Sequence, residues 1–262
     1  MAEPYRSSLS ITFSVWRALF LREALTRISG TRGQWFWIIA EPLANMGFLA
    51  LLFGAFRNMR IPGIDVYLWI VVGMAAFFVY RRSAIQGMWA IDDNRAMFVY
   101  RQVKPVDTVF VRAALDGFIN LLIGLAALAF LMLINVNVMP EQPLLLMAGV
   151  FGVWLLGLGF GLIAAVPVAF VEESSVFLSF LMTPLYLLSG VIFPLSVVPY
   201  PYLEWLTYNP LAHAIEAVRL GFSAGYHVFP GLSLTYVYAW AVVTIFLGLA
   251  LQLRFSERLR AA

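Results

Sequence analysis

Apolar runs of bilayer length recur along this chain, and they constrain its fold more than any single residue does. They cover about Trp35–Phe56, Val66–Tyr80, Thr108–Leu133, Leu144–Phe170, Val176–Pro194 and 234–253. A helix needs roughly 20 apolar residues to cross the ~30 Å hydrocarbon core, where every backbone polar group has to be satisfied internally. Composition agrees, with 62% hydrophobic and 12% charged residues, against about half and a quarter in a soluble domain. The expected fold is an all-α integral membrane protein with about six transmembrane helices, forming one domain over residues 1–262.

The segments around these runs carry the chemistry. Within residues 8–29, Leu21, Leu25 and Ile28 share one helical face, and Arg22, Glu23, Thr26 and Arg27 the other. With Trp16 and Phe20 this predicts an amphipathic helix lying in the headgroup region, with the chain entering the bilayer after Gly30–Gly33. Residues 1–30 lack the clean apolar core and cleavage site of a signal peptide. In the first span Glu41 needs a partner, and Pro42 loosens the helix because it has no backbone donor. Arg57, Asn58, Arg60 and Pro62 read as a short loop.

Residues 81–107 form the longest polar connection. Asp92, Asp93 and Arg95 alternate there with Met88, Trp89, Ile91, Met97 and Phe98. That pattern predicts a short amphipathic helix at the membrane face, presenting charge to another protein. In the third span Arg112 and Asp116 are four residues apart and are expected to pair. The fourth span is rich in glycine (Gly149, Gly152, Gly157, Gly159, Gly161), which lets helices approach closely in lipid.

The stretch Leu181–Arg219 begins as a span and then breaks at Pro194, Pro199, Pro201 and Pro210. Tyr200, Tyr202, Trp205 and Tyr208 suit a membrane–water boundary. Asn209–Pro210 is a helix start, a capping residue followed by proline at the first helical position. His213, Glu216 and Arg219 follow at three-residue spacing. His227 is the only other histidine, so an internal ion-pair or hydrogen-bond network is expected there rather than a metal site.

Basic residues set the orientation, since cytoplasmic loops hold the excess. With about six spans the termini share a side with Arg6, Arg17, Arg22, Arg27, Arg32, Arg81, Arg82, Arg95, Arg101, Lys104, Arg112, Arg254, Arg258 and Arg260. Arg57, Arg60 and Arg219 fall on the other side, so 14 of 17 basic residues place both ends in the cytoplasm. The proline-broken segment then lies outside.

Several chemistries are excluded. Without cysteine there are no disulfides, thiolate metal sites or cysteine nucleophile. Lys104 is the only lysine and follows Val103, so no phosphate-binding loop of the form GxxxxGK[ST] exists in this chain. Ser189 fails the nucleophile-turn pattern because residue 187 is leucine. Trp35, Trp37, Phe77, Tyr80 and Tyr186 are placed either to stack sugar rings along a conducting path or to face lipid; the residues alone do not separate these readings.

Taken together, the pieces resemble the membrane subunit of type-2 ABC exporters, in particular the capsular polysaccharide exporter permeases of Gram-negative bacteria. Ala18-Leu19-Phe20-Leu21-Arg22-Glu23 with Thr26-Arg27 is similar to that family's gate helix. Trp37 with Glu41-Pro42 is similar to its first span, and Tyr100-Arg101 with Val103-Lys104-Pro105-Val106-Asp107-Thr108 to the end of its coupling loop. Pro184-Leu185-Tyr186 and Phe193-Pro194-Leu195 are similar to its fifth span. Asn209-Pro210-Leu211, His213, Glu216 and Arg219 are similar to its external re-entrant helices, and Gly225-Tyr226 also fits.

The resemblance implies a homodimer forming one channel in the bacterial inner membrane. Two cytoplasmic ATPase subunits would bind ATP and Mg, with no cofactor on this chain and no nucleic acid. A cytoplasmic coupling helix within 81–107 would use Asp92, Asp93, Asn94, Arg95, Phe98 and Tyr100. External re-entrant helices between the last two spans, within 195–230, would carry a gate network of His213, Glu216 and Arg219. A glycolipid-capped polysaccharide would be the cargo. Arg81, Arg82, Arg101 and Lys104 are placed either to attract a phosphate on its glycolipid end or only to set the topology. A periplasmic adaptor and an outer-membrane channel would take it onward. Export of another polymer (O-antigen or teichoic acid) and an integral-membrane enzyme acting on lipid-linked sugars are the competing readings.

Overall fold

A computed structural model describes residues 8–29, 33–55 and 61–261. The loop expected at Arg57–Arg60 and the turn at Gly30–Arg32 lie outside the described residues, as does the Trp35 side chain. Among the described residues every regular element is helical. The long helices are α1 (Ser8–Ser29), α2 (Gln34–Ala55), α3 (Val66–Trp89), α4 (Pro105–Leu133), α5 (Pro143–Phe170) and α10 (Leu234–Arg254). The short ones are α6 (Ser174–Phe180), α7 (Met182–Leu188), α8 (Tyr202–Thr207), α9 (Pro210–Phe222) and α11 (Ser256–Ala261), with 3-10 stretches at Asp92–Val99 and Leu195–Val197. Five helices (α2, α3, α4, α5 and α10) are long and apolar enough to cross a membrane.

Local chemistry explains the starts. Asp65 accepts from the amides of Tyr67 and Leu68 and opens α3. Asp107 reaches back to the Lys104 amide and Pro105 takes the first position of α4. Asn209 accepts from the Leu211 amide ahead of Pro210, as the sequence predicts for α9.

Helix α3 is the axis of the bundle, buried along most of its length from Leu68 to Met88, and α5 packs along it. Glycines make that approach possible. Gly157 sits against Tyr80 and Ser83, Gly161 against Gly87, and Gly149, Gly152 and Gly159 receive α9 and α10. The outer faces of α2 and α10 remain apolar and open, with Phe48, Leu51, Val242 and Phe246 all exposed.

Three expectations need correction. The second crossing does not stop at Tyr80; α3 continues to Trp89, so Arg81 and Arg82 lie on a helix rather than in a loop. The pair Arg81–Arg82 reads as a boundary, yet no helix breaker follows it, and Arg82 is neutralised by Glu41 on α2 at 3.0 Å. The run 176–194 is not one helix. It forms α6 and α7, of seven residues each, because Pro184 denies the Phe180 carbonyl its i+4 donor. The 174–188 piece is about 22 Å long at 1.5 Å per residue, short of the hydrocarbon core. Finally, α1 turns its polar face inward: Glu23 is buried, while Leu21 and Leu25 are 51% and 62% exposed.

Candidate functional site

The inward polar face of α1 meets a complementary face on α4. Glu23 and Arg27 are one turn apart on α1; Arg112 and Asp116 are one turn apart on α4, with the signs reversed. The two helices run in the same direction, so Glu23 meets Arg112 at 2.8 Å and Arg27 grips Asp116 through both nitrogens at 2.5 and 2.6 Å. The expected Arg112–Asp116 pair therefore does not form; each residue is paired across to α1. Charged groups in an apolar bundle need such partners, since an unpaired buried charge is far more costly than an unpaired surface one. At the start of the same seam, the Trp16 indole donates to Asp107 at 2.8 Å and its ring stacks on Phe110.

The seam continues into the expected coupling segment. Arg112 also binds Asp93 at 2.5 Å, and Arg22 donates to Asn94. Arg27 and Arg112 with the carboxylates of Glu23, Asp93 and Asp116 thus form one ion-pair chain, and with the Arg22–Asn94 bond it joins α1, α4 and the stretch Asp92–Val99. That stretch is 3-10 rather than α-helical. Asn94 and Phe98 point into the core, beside Val15, Leu19 and Leu259 in the case of Phe98. Arg95 bonds Asp92 and the Ala169 carbonyl at the end of α5. Asp93, Arg95 and Ala96 keep an exposed side, and the large apolar residues turned outward are Val99, 86% exposed, and Tyr100, 58% exposed.

Of the residues expected to couple, Asp92, Asp93, Asn94, Arg95 and Phe98 fasten the segment to the bundle, while Tyr100 is presented outward. Sequence reasoning missed Val99, which reads as one more apolar residue. It also missed Glu23, Arg27, Arg112 and Asp116 as one site. The available signal was the reversed Glu-x3-Arg and Arg-x3-Asp patterns on two apolar helices.

At the opposite end Arg219, fully buried, ties three parts together. Its Nε donates to the Trp69 carbonyl, Nη1 to the Gly190 carbonyl and to Glu216 at 2.7 Å, and Nη2 to the Val191 carbonyl. Its guanidinium carbon lies 3.7 Å from the centroid of the Trp69 ring, a cation–π stack. Gly73 leaves the space the guanidinium fills; a β-carbon there would collide with it. Gly190 turns the chain after α7 at φ 69°, a conformation that costs glycine little. The Trp69 indole donates to Tyr226, whose hydroxyl donates to the same Glu216 oxygen that Arg219 binds; the other Glu216 oxygen has no partner among the described residues.

His213 stands apart from this network. Its Nδ1 accepts from the Ser233 amide, which leaves Nε2–H to donate to the Thr207 carbonyl at 2.8 Å. Ser189 donates to the Leu185 carbonyl and accepts from Asn209, so it is a helix-end contact.

The aromatic set divides. Phe77 and Tyr80 are buried in the core, and Phe77 meets the half-buried Tyr186 edge-on at 4.9 Å. Trp37 is 67% exposed on α2, away from them. The four basic residues expected at a phosphate are not gathered either. Arg101 and Lys104 are exposed before α4. Ser83 of α3 is level with Ala113 of α4, which sets Arg81 and Arg82 about ten residues, or ~15 Å, farther along the bundle.

Among the described residues, an all-helical fold with five membrane-length helices and a charged seam at one end defines a polytopic membrane protein. Sequence comparison gives its family. The ABC-2 type transporter family matches residues 14–223. The chain is 32% identical to the polysialic acid transport protein KpsM of Escherichia coli, over 94% of this chain and 95% of that one. It is 24% identical to the capsule polysaccharide export inner-membrane protein BexB of Haemophilus influenzae, over 97% and 95%. The figures for CtrC of Neisseria meningitidis serogroup A, also a capsule polysaccharide export inner-membrane protein, are 25%, 97% and 95%. The chain belongs to the ABC-2 type transporter family.

Proposed function

We propose that this chain is the membrane-spanning subunit of an ATP-driven exporter that moves a glycolipid-linked capsular polysaccharide across the bacterial inner membrane. The observation that carries this reading is near full-length agreement with a protein named for polysialic acid transport, at 32% identity over 94% of the chain, and with two named for capsule polysaccharide export, at 24% and 25% over 97%. Two copies would form the channel, the open apolar faces of α2 and α10 supplying surface for the partner copy and for lipid. The broken pair α6–α7 would make the sixth crossing within that dimer. Helices α8 and α9 would form a re-entrant lid on the external side, with both termini cytoplasmic. ATP and Mg would belong to a separate ATPase, and a periplasmic adaptor and outer-membrane channel would carry the polymer onward.

In this reading the ATPase pushes on Val99 and Tyr100. The stroke passes through Asp93 and Asn94 to Arg112 and Arg22, and so to α1, which acts as the gate. Arg101 and Lys104, exposed beside the docking face, are the basic residues suited to an anionic lipid head group. Replacing Val99 by Asp together with Tyr100 by Ala is expected to reduce ATPase co-purification at least tenfold, with the permease still folded, because both side chains face outward. Unchanged co-purification would remove this face from the docking site.

Deleting the gene should leave polymer inside the cell and none on its surface, and the intact chain should restore surface capsule. Normal surface capsule in the deletion strain would overturn the assignment.

A further inference from the structure

Helix α3 packs along both α4 and α5, but α4 and α5 touch each other far less. The splay leaves an apolar cavity of about 450 Å³ between them. Its floor is Ala75, Ala76 and Val79 of α3, and its walls include Gly124 and Leu128 of α4 and Val150 of α5. Small residues make the room: a β-carbon on Gly124 would meet only the Ala75 methyl. One end is closed by Trp154, whose indole donates to the Ala113 carbonyl at 2.9 Å, and the other by Val218 and Phe222.

From Gly117 to Leu128 the cavity runs about 16 Å along α4, close to the ~15 Å of one leaflet's hydrocarbon. Its open side is continuous with the outer surface of the spans, where Leu121, Leu125, Met147 and Phe151 are exposed. In a membrane-spanning chain that surface faces lipid. Asn120 is the one polar side chain in the lining, and its amide nitrogen is already bonded to the Asp116 carbonyl.

We propose that this cleft holds one acyl chain of a membrane phospholipid, seated lengthwise as a wedge between α4 and α5. Length, volume and apolar lining suit a single hydrocarbon chain, and continuity with the lipid-facing surface supplies it. The wedge begins at Gly117, next to Asp116, so it lies along α4 directly beyond the charged seam.

The test uses the full chain in nanodiscs of phosphatidylethanolamine carrying a diazirine in mid-acyl position, followed by ultraviolet cross-linking and peptide mass spectrometry. Labelling of Ala75, Leu128 and Val150 should be several-fold above that of fully lipid-facing Leu133 and Phe246. Gly124→Phe, which fills the cleft, should remove the excess and leave Leu133 and Phe246 unchanged. If Gly124→Phe does not fold, Leu121→Trp at the mouth gives the same reading. Wall labelling no higher than at Leu133, or unaffected by the filling variant, would overturn the proposal. So would cross-links from these walls to a second copy of the chain, which would make the cleft a protein interface.

Discussion

Arg219→Met should be the most destabilising single substitution in the chain. It strands Glu216 as a fully buried carboxylate and leaves the carbonyls of Trp69, Gly190 and Val191 without this donor. Removing one partner of a buried ion pair costs about 3–5 kcal/mol. In detergent the thermal midpoint should fall by roughly 10 °C, with surface capsule lost. Arg219→Lys should not rescue it, because one ammonium cannot reproduce the divergent donors of a planar guanidinium. Gly73→Ala should act in the same direction by pushing the guanidinium off its seat. A thermal midpoint for Arg219→Met within a degree or two of the parent would mean that this joint does not hold α3, α7 and α9 together.

The second large effect concerns the seam. Asp116→Leu leaves Arg27 with only its longer 3.5 Å contact to Glu23, and Arg27→Met strands Asp116; the Arg27 and Asp116 side chains are mostly buried, at 15% and 4% exposure. Each single change is expected to cost about 3–5 kcal/mol, while the double change should cost clearly less than their sum, since no charge remains uncompensated. The functional signature is different from that of Arg219→Met. With α1 held to α4 only by Glu23–Arg112 and Trp16–Asp107, the ATPase should still dock on Val99 and Tyr100 and hydrolyse ATP, but less polymer should move per ATP. Additive stability losses, or unchanged polymer moved per ATP, would remove the seam from the coupling path.

Local signals were readable and distant ones were not. The Asn209–Pro210 start of α9 rests on short-range backbone chemistry and the glycines of α5 on the absence of a side chain, and both hold. The end of α3 was misread because a charge pair resembles a boundary when its neutralising partner, Glu41, is on another helix. Run length suggested a span at 176–194, although Pro184 was the stronger local fact. His213, Glu216 and Arg219 read as one network because each step is three residues. Two such steps rotate about 120° around an α-helix at 3.6 residues per turn, and His213 accordingly bonds the Thr207 carbonyl instead. The seam joins residues 89 positions apart, and only the packing of α1 against α4 brings them together.

The most direct measurement uses inverted inner-membrane vesicles containing this chain and the ATPase proposed to drive it, with glycolipid-linked capsular polymer added outside. Polymer should become protected from added glycosidase only when ATP is hydrolysed. Protection should fall sharply with Val99→Asp/Tyr100→Ala and with Asp116→Leu. Polymer entry without ATP, or no entry at all with an active ATPase bound, would contradict the account.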